Sequence, residues 1–257
     1  LLFTWQNVYE MSDPTINFSF SQPRAIITGA SSGIGRATAL AFAKAGIHLA
    51  LVSRSPDKLS EVRDLVQAAG VEAKIYPLDL GNIAEVRAKV ALITEEFGEI
   101  DILVNNAGMG YTNSLQDTPL EEWLAVMNLN LTSILQCIQG VLPQMRARHR
   151  GTIVNVASIA ATNPFAGWGS YCVSKAGLLM LSQVLATEER ANGIRVVTIS
   201  PGSVNTPLWD SDTVKADFDR VGMLTPEIIA QTILQAVLLP QEAVIENLTI
   251  VSSAGIL

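Results

Sequence analysis

The stretch RAIITGASSGIGRATALAFAKAGIHLALVS (24–53) decides the fold. It opens on the β-branched run AIIT (25–28), turns through glycines at 29, 33 and 35, continues as a helical pattern over 33–46, and ends in a second apolar run, HLALVS (48–53). Strand, tight turn, helix and strand in that order make a βαβ unit, whose two strands run parallel. Glycines let the turn approach a ligand without Cβ interference, and the helix that follows offers unpaired N–H groups and the positive end of its dipole to a pyrophosphate. No Lys-Ser/Thr pair follows, so the turn is not a P-loop.

Working outward, the alternation continues to the end of the chain. EAKIYPLD (72–79), DILVNN (101–106), TIVNVAS (152–158), RVVTIS (195–200) and NLTIVS (247–252) read as further strands. They are apolar with little alternation, as strands covered on both faces are. Helical patterns occupy 56–69, 82–97, 119–148, 170–192 and 225–239, with Ser55-Pro56 and Thr225-Pro226 placing a cap residue and Pro at two of the starts. The expected fold class is α/β, a doubly wound parallel sheet in a single domain over residues 23–257, behind an N-terminal extension at 1–22. The longest segment without a period is 201–224, and a loop of that length in a compact domain is expected to work as a lid.

Composition narrows the function. Of 257 residues, 17 are Lys or Arg and 24 are Asp or Glu, a net charge of −7 that disfavours nucleic acid as a partner. No run of 18 apolar residues suggests a membrane span. The two cysteines, Cys137 and Cys172, have no metal-ligand spacing and read as reduced thiols in a cytoplasmic protein, with no metal site. The basic run RARHR (146–150) reads as a solvated helix end, or as a docking patch for an acidic carrier protein.

Four motifs in order carry a resemblance: TGASSGIG (28–35), NNAG (105–108), YCVSK (171–175), and Pro201-Gly202 followed by Thr206. Together they resemble the short-chain dehydrogenase/reductase family over roughly residues 24–255. The resemblance implies a Rossmann-type seven-stranded sheet and hydride transfer between a nicotinamide and a carbonyl or alcohol carbon. It also implies a catalytic tetrad of Asn130, Ser158, Tyr171 and Lys175, with Ser133 standing where the family pattern has glycine. Tyr171 and Lys175 are four apart and so share one helix face. A phenol can donate a proton to the carbonyl oxygen, and an adjacent ammonium is expected to lower its pKa. By resemblance Lys175 also holds the ribose hydroxyls and Asn130 anchors a water.

The cofactor-binding residues implied are Gly29, Ser31, Ser32, Gly33, Ile34, Gly35, Ser53, Arg54, Asp79, Asn105, Ala107, Gly108, Tyr171, Lys175, Pro201, Gly202, Val204 and Thr206. NAD enzymes of this fold end the second strand in an acid, whereas this chain has Ser53 and Arg54, which suit the 2′-phosphate of NADP(H). Met109, Phe165, Trp168, Leu208 and Trp209 are expected to line an apolar substrate pocket. The expectation is an NADP(H)-dependent carbonyl reductase acting on a small or medium apolar carbonyl or alcohol. The alternatives are reduction of 3-oxoacyl groups on an acyl carrier protein and a non-catalytic NADP(H)-sensing module. Apolar residues spread around the helices at 119–148 and 175–192 predict a homo-oligomer, a tetramer by family analogy.

Overall fold

Seven apolar runs become seven strands: β1 (Arg24–Thr28), β2 (His48–Ser53), β3 (Ala73–Pro77), β4 (Ile102–Asn105), β5 (Gly151–Val156), β6 (Ile194–Pro201) and β7 (Asn247–Ile250). The computed structural model describes residues 23–216 and 220–255; the expected extension at 1–22 lies outside them. All the strands pair in parallel, in the order β3-β2-β1-β4-β5-β6-β7. The helices are α1 (Gly33–Lys44), α2 (Pro56–Gln67), α3 (Ile83–Phe97), α4 (Leu120–Met127), α5 (Ser133–Ala147), α6 (Gly169–Glu189) and α7 (Pro226–Leu238).

The missing alternation in the strands has a direct cause. Successive side chains still point to opposite faces, but both faces are core. On β1 and β2, Ala25, Ile27, Leu49 and Leu51 join the cluster under α1, α2 and α7. Ile26, Ala50 and Val52 join the one under α3, α5 and α6. Because the connections from β1 and from β4 wind to opposite sides, a crevice opens between those two strands at their carboxyl ends.

Three expectations change. The pattern over 119–148 is interrupted by a π-helical turn at Asn128–Thr132, which separates α4 from α5. Ser55 and Thr225 stand at the expected cap positions with Pro after them, yet neither makes a side-chain cap bond. The RARHR segment is only partly solvated: Arg146, Ala147 and His149 are exposed, but Arg148 and Arg150 pair with the buried Asp101 at 2.9 Å, and Arg146 pairs with Glu189. Asp101 also accepts from Arg24 N–H at 3.1 Å, so these arginines fasten α5 to the amino-terminal edge of the sheet.

The stretch Leu120–Ala147 is long and apolar enough to cross a membrane by length and composition. It is a packing element here: Ile134, Cys137, Ile138 and Val141 are buried against α3 and the sheet.

Candidate active site

The crevice at the carboxyl ends of the strands is a cavity of about 690 Å³. One end is formed by the turn after β1. Gly29 and Gly33 adopt φ of +66° and +51°, where other residues are strained, and a Cβ on Gly29 would meet the Asn106 amide at 2.8 Å. Ser32 at the start of α1 makes no side-chain cap bond, which leaves the first-turn N–H groups available to an anion. The turn is splinted to β4 by Thr28, whose hydroxyl accepts from the N–H groups of Asn106 and Ala107 at 3.0 and 3.1 Å. These features fit a dinucleotide pyrophosphate.

Most of the sequence-derived cofactor residues line this cavity: Gly29, Ser31, Ser32, Gly33, Ile34, Ser53, Arg54, Asp79, Ala107, Gly108, Pro201, Gly202, Val204 and Thr206. Two do not. Gly35 sits against the turn, where a Cβ would lie 2.2 Å from the Gly29 carbonyl oxygen, so its role is close packing. Asn105 is fully buried in β4 and donates to Asn155 Oδ1 at 2.9 Å; its neighbour Asn106 takes the place on the wall. Lys58 joins Arg54 on the wall beyond β2 and was missed. Its signal was legible, since four residues separate them across the first turn of α2.

At the other end, Ser158 follows β5 while Tyr171 and Lys175 project from the first turns of α6; all three line the cavity. The Tyr171 phenol lies close enough to the Ser158 hydroxyl for it to favour the phenolate. Lys175 Nζ lies 5.8 Å from the phenol ring centroid and donates to the Val156 carbonyl at 2.9 Å. Asn130 stands behind the wall, fully buried in the π-helical turn. Its Oδ1 accepts from Met109 N–H at 2.8 Å, and its Nδ2 donates to the Met109 carbonyl at 2.9 Å and to Ser174 Oγ at 3.1 Å. Ser174, which sequence reading passed over, donates in turn to the Tyr171 carbonyl at 2.7 Å. The loop after β4 is thereby fixed to the helix that carries the phenol.

The electrostatics correct one expectation. In the chain alone the phenol is not acidified: burial raises the Tyr171 pKa, and the Ser158 hydroxyl opposes that only in part. Lys175 is buried too, and desolvation lowers its pKa to about 8. A buried ammonium disfavours its own charged form, so both groups lean towards neutrality.

Met109, Phe165, Trp168, Leu208 and Trp209 all line the cavity beside Tyr171. The segment 201–224, expected as an irregular lid, holds a 3-10 turn at Pro207–Asp210 and a bridge between Val204 and Leu224. It is stitched to the loop after β4: Thr112 N–H donates to the Thr213 carbonyl at 3.0 Å, Thr213 Oγ1 to the Gly110 carbonyl at 2.7 Å, and Lys215 N–H to Thr112 Oγ1 at 2.7 Å.

The buried lysine carries a testable cost. Its folded pKa lies below the ordinary 10.5, so the destabilisation is present in full below pH about 8 and fades as pH rises towards 10.5. Lys175→Met without nucleotide is expected to resist urea better than the parent at pH 7. The gain is about 2 kcal/mol after loss of the Val156 hydrogen bond, and it shrinks as the pH approaches 10.5. A variant less stable than the parent at pH 7 refutes this account.

Comparison with known proteins agrees with the geometry. The family model for short chain dehydrogenases matches residues 23–216. An uncharacterised oxidoreductase of Staphylococcus haemolyticus is 36% identical over 226 residues, covering 88% of this chain and 95% of that protein. A sepiapterin reductase of Chlorobaculum tepidum is 35% identical over 238 residues, covering 90% and 96%. Among solved structures, an alcohol dehydrogenase of Thermococcus sibiricus complexed with 5-hydroxy-NADP superposes with a TM-score of 0.83 at 28% identity, covering 91% of this chain and 98% of that one. With its glycine turn, its parallel sheet and a phenol, ammonium and serine gathered on one wall, the chain belongs to the short-chain dehydrogenase/reductase family of oxidoreductases.

Proposed function

We propose that the protein is an NADP(H)-dependent carbonyl reductase acting on a small or medium apolar ketone or aldehyde. The observation that carries this reading is one continuous cavity with Arg54 and Lys58 at one end and Ser158, Tyr171 and Lys175 at the other. A bound nicotinamide supplies hydride chemistry at the carbonyl carbon. The chain's own task is the oxygen. Ser158 hydrogen-bonds it, and Tyr171, protonated because burial raises its pKa, donates the proton that turns an incipient alkoxide into an alcohol. The phenolate left behind is stabilised by the Lys175 ammonium and regains its proton from solvent. In the proposal Lys175 also holds the ribose hydroxyls, and Asn130 fixes the loop above it and anchors a water.

The alternative of a carrier-linked 3-oxoacyl substrate loses its docking argument, since Arg146, Arg148 and Arg150 are engaged with Glu189 and Asp101. A non-catalytic sensing module needs no proton donor beside a serine in its cavity. The test is turnover of a ketone panel with NADPH. Tyr171→Phe is expected to retain nucleotide affinity while turnover falls about 10²–10⁴-fold. Near-parental rates in that variant would sink the assignment.

Cofactor choice follows from the same cavity. β2 ends in the buried Ser53 and the exposed Arg54, with no acid to accept from a ribose 2′-hydroxyl. NADPH is expected over NADH, and Arg54→Ala should lose about 1.5–3 kcal/mol towards NADPH only. Equal kcat/KM with the two cofactors in the parent chain would refute the preference.

A homo-oligomer is the last part of the proposal. Val173, Met180 and Val184 are exposed on one side of α6, and Leu115, Leu120 and Leu124 are exposed on and before α4, which packs against it. An uncovered apolar surface of that kind marks an interface, and a second copy across a two-fold covers it. Sedimentation at micromolar concentration should show a dimer or tetramer; a monomer alone would count decisively against it.

A further inference from the structure

Within the proposed reductase reading, on which this inference rests, the substrate end of the cavity shows what its guest looks like. Trp168 packs edge-on against Tyr171 at a centroid distance of 5.4 Å and against Trp209 at 5.7 Å, with interplanar angles of 69° in both cases. It is held from other sides as well. Its N–H donates to the Phe165 carbonyl at 3.1 Å, and it bridges to Asn113. A Cβ on Gly110 would meet its ring at 3.3 Å. Trp209 is fixed by its indole N–H, which donates to the Val204 carbonyl at 2.8 Å. Both indoles remain only half-buried and line the cavity, so they form a rigid aromatic corner immediately beside the proton donor.

Charge at this end is equally informative. All 17 Lys and Arg residues lie among the described residues, and only Arg54, Lys58 and Lys175 line the cavity. Arg54 and Lys58 belong to the far end beyond β2, and Lys175 is committed to the Val156 carbonyl and, in the reductase reading, to the phenolate and the ribose hydroxyls. On the lid, Arg220 is bound to Asp210, and Lys215 stays outside the lining. The acid on the lid side of the cavity is Asp212. An anionic substrate would therefore be desolvated with no uncommitted cation to meet it, beside a carboxylate. The stitches between Thr112 and Thr213, and the convergence of Leu208, Val214 and Trp168 on Gly110, close the outer rim around a compact guest.

We infer that the substrate is a neutral ketone carrying a planar aromatic ring next to its carbonyl-bearing carbons, with Trp168 as the residue that selects the ring. Edge-to-face aromatic pairs add about 0.5–1.5 kcal/mol beyond area burial, a roughly 2–13-fold preference. Three probes separate the possibilities with NADPH as reductant. Phenylacetone and cyclohexylacetone share a skeleton and an unconjugated carbonyl; phenylpyruvate has the same ring and a more electrophilic carbonyl but adds a carboxylate. The expected result is kcat/KM for phenylacetone about 2–10-fold above cyclohexylacetone, with phenylpyruvate about 100-fold or more below phenylacetone. In Trp168→Leu the phenyl-to-cyclohexyl ratio should fall to about one.

A parental ratio at or below one, or phenylpyruvate reduced as well as phenylacetone, overturns the inference while the reductase reading stands. A ratio unchanged in Trp168→Leu overturns the assignment to Trp168. No turnover of any of the three probes overturns both the inference and the reductase reading. The parental comparison needs no variant, so a Trp168→Leu chain that fails to fold leaves the test intact.

Discussion

The Asn130 amide is the constraint on which the site depends. It clasps both backbone groups of Met109 and reaches Ser174 at the same time. A regular α-helix through Asn128–Thr132 would not deliver that side chain in the same way; the extra residue of a π turn changes the facing of the turn and releases backbone groups. The clasp fixes the loop after β4 so closely that a Cβ on Gly108 would stand 3.1 Å from Asn130 Oδ1 and 3.7 Å from Lys175 Nζ. One buried, hydrogen-bonded amide therefore ties the loop after β4 to α6, the helix that carries Tyr171 and Lys175.

Around that anchor the chain buries an ammonium and half-buries a phenol on the cavity wall. Burial pushes the Tyr171 pKa up and the Lys175 pKa down, which costs stability in the free protein. In the proposed mechanism that cost serves the proton transfer. A solvated phenol would be surrounded by competing proton donors, and a solvated lysine would screen its own charge. The aromatic corner packed against Tyr171 also shapes the cavity beside it, so in the proposed mechanism the proton donor and the substrate space share Trp168 as a common wall.

Much of this was legible in the sequence, and for identifiable reasons. Local signals decide elements: apolar runs, proline starts and the glycine turn located the strands and helices to within a few residues, save the break that divides 119–148 into α4 and α5, because periodicity and backbone freedom are properties of neighbouring positions. Motif spacing located Tyr171, Lys175 and Ser158, since a helix turn and a strand end convert sequence separation directly into geometry. It also yielded Arg54 and a little over half of the cavity wall.

What only the tertiary structure decided depends on residues far apart in the chain. Asn105 and Asn106 are neighbours with similar chemistry, yet Asn105 is held in the core by Asn155, 50 residues on, while Asn106 stands past the end of β4 at the cavity. Arg148 and Arg150 look solvated until Asp101, nearly fifty residues away, is brought beneath them. The phenol's pKa direction followed neither from its lysine neighbour nor from its type, because desolvation is a property of the assembled wall and here outweighs the Ser158 hydroxyl. Sequence determined which groups were available and which helix face or strand end each would occupy; burial and long-range pairing, which exist only after the chain has closed on itself, determined what those groups became.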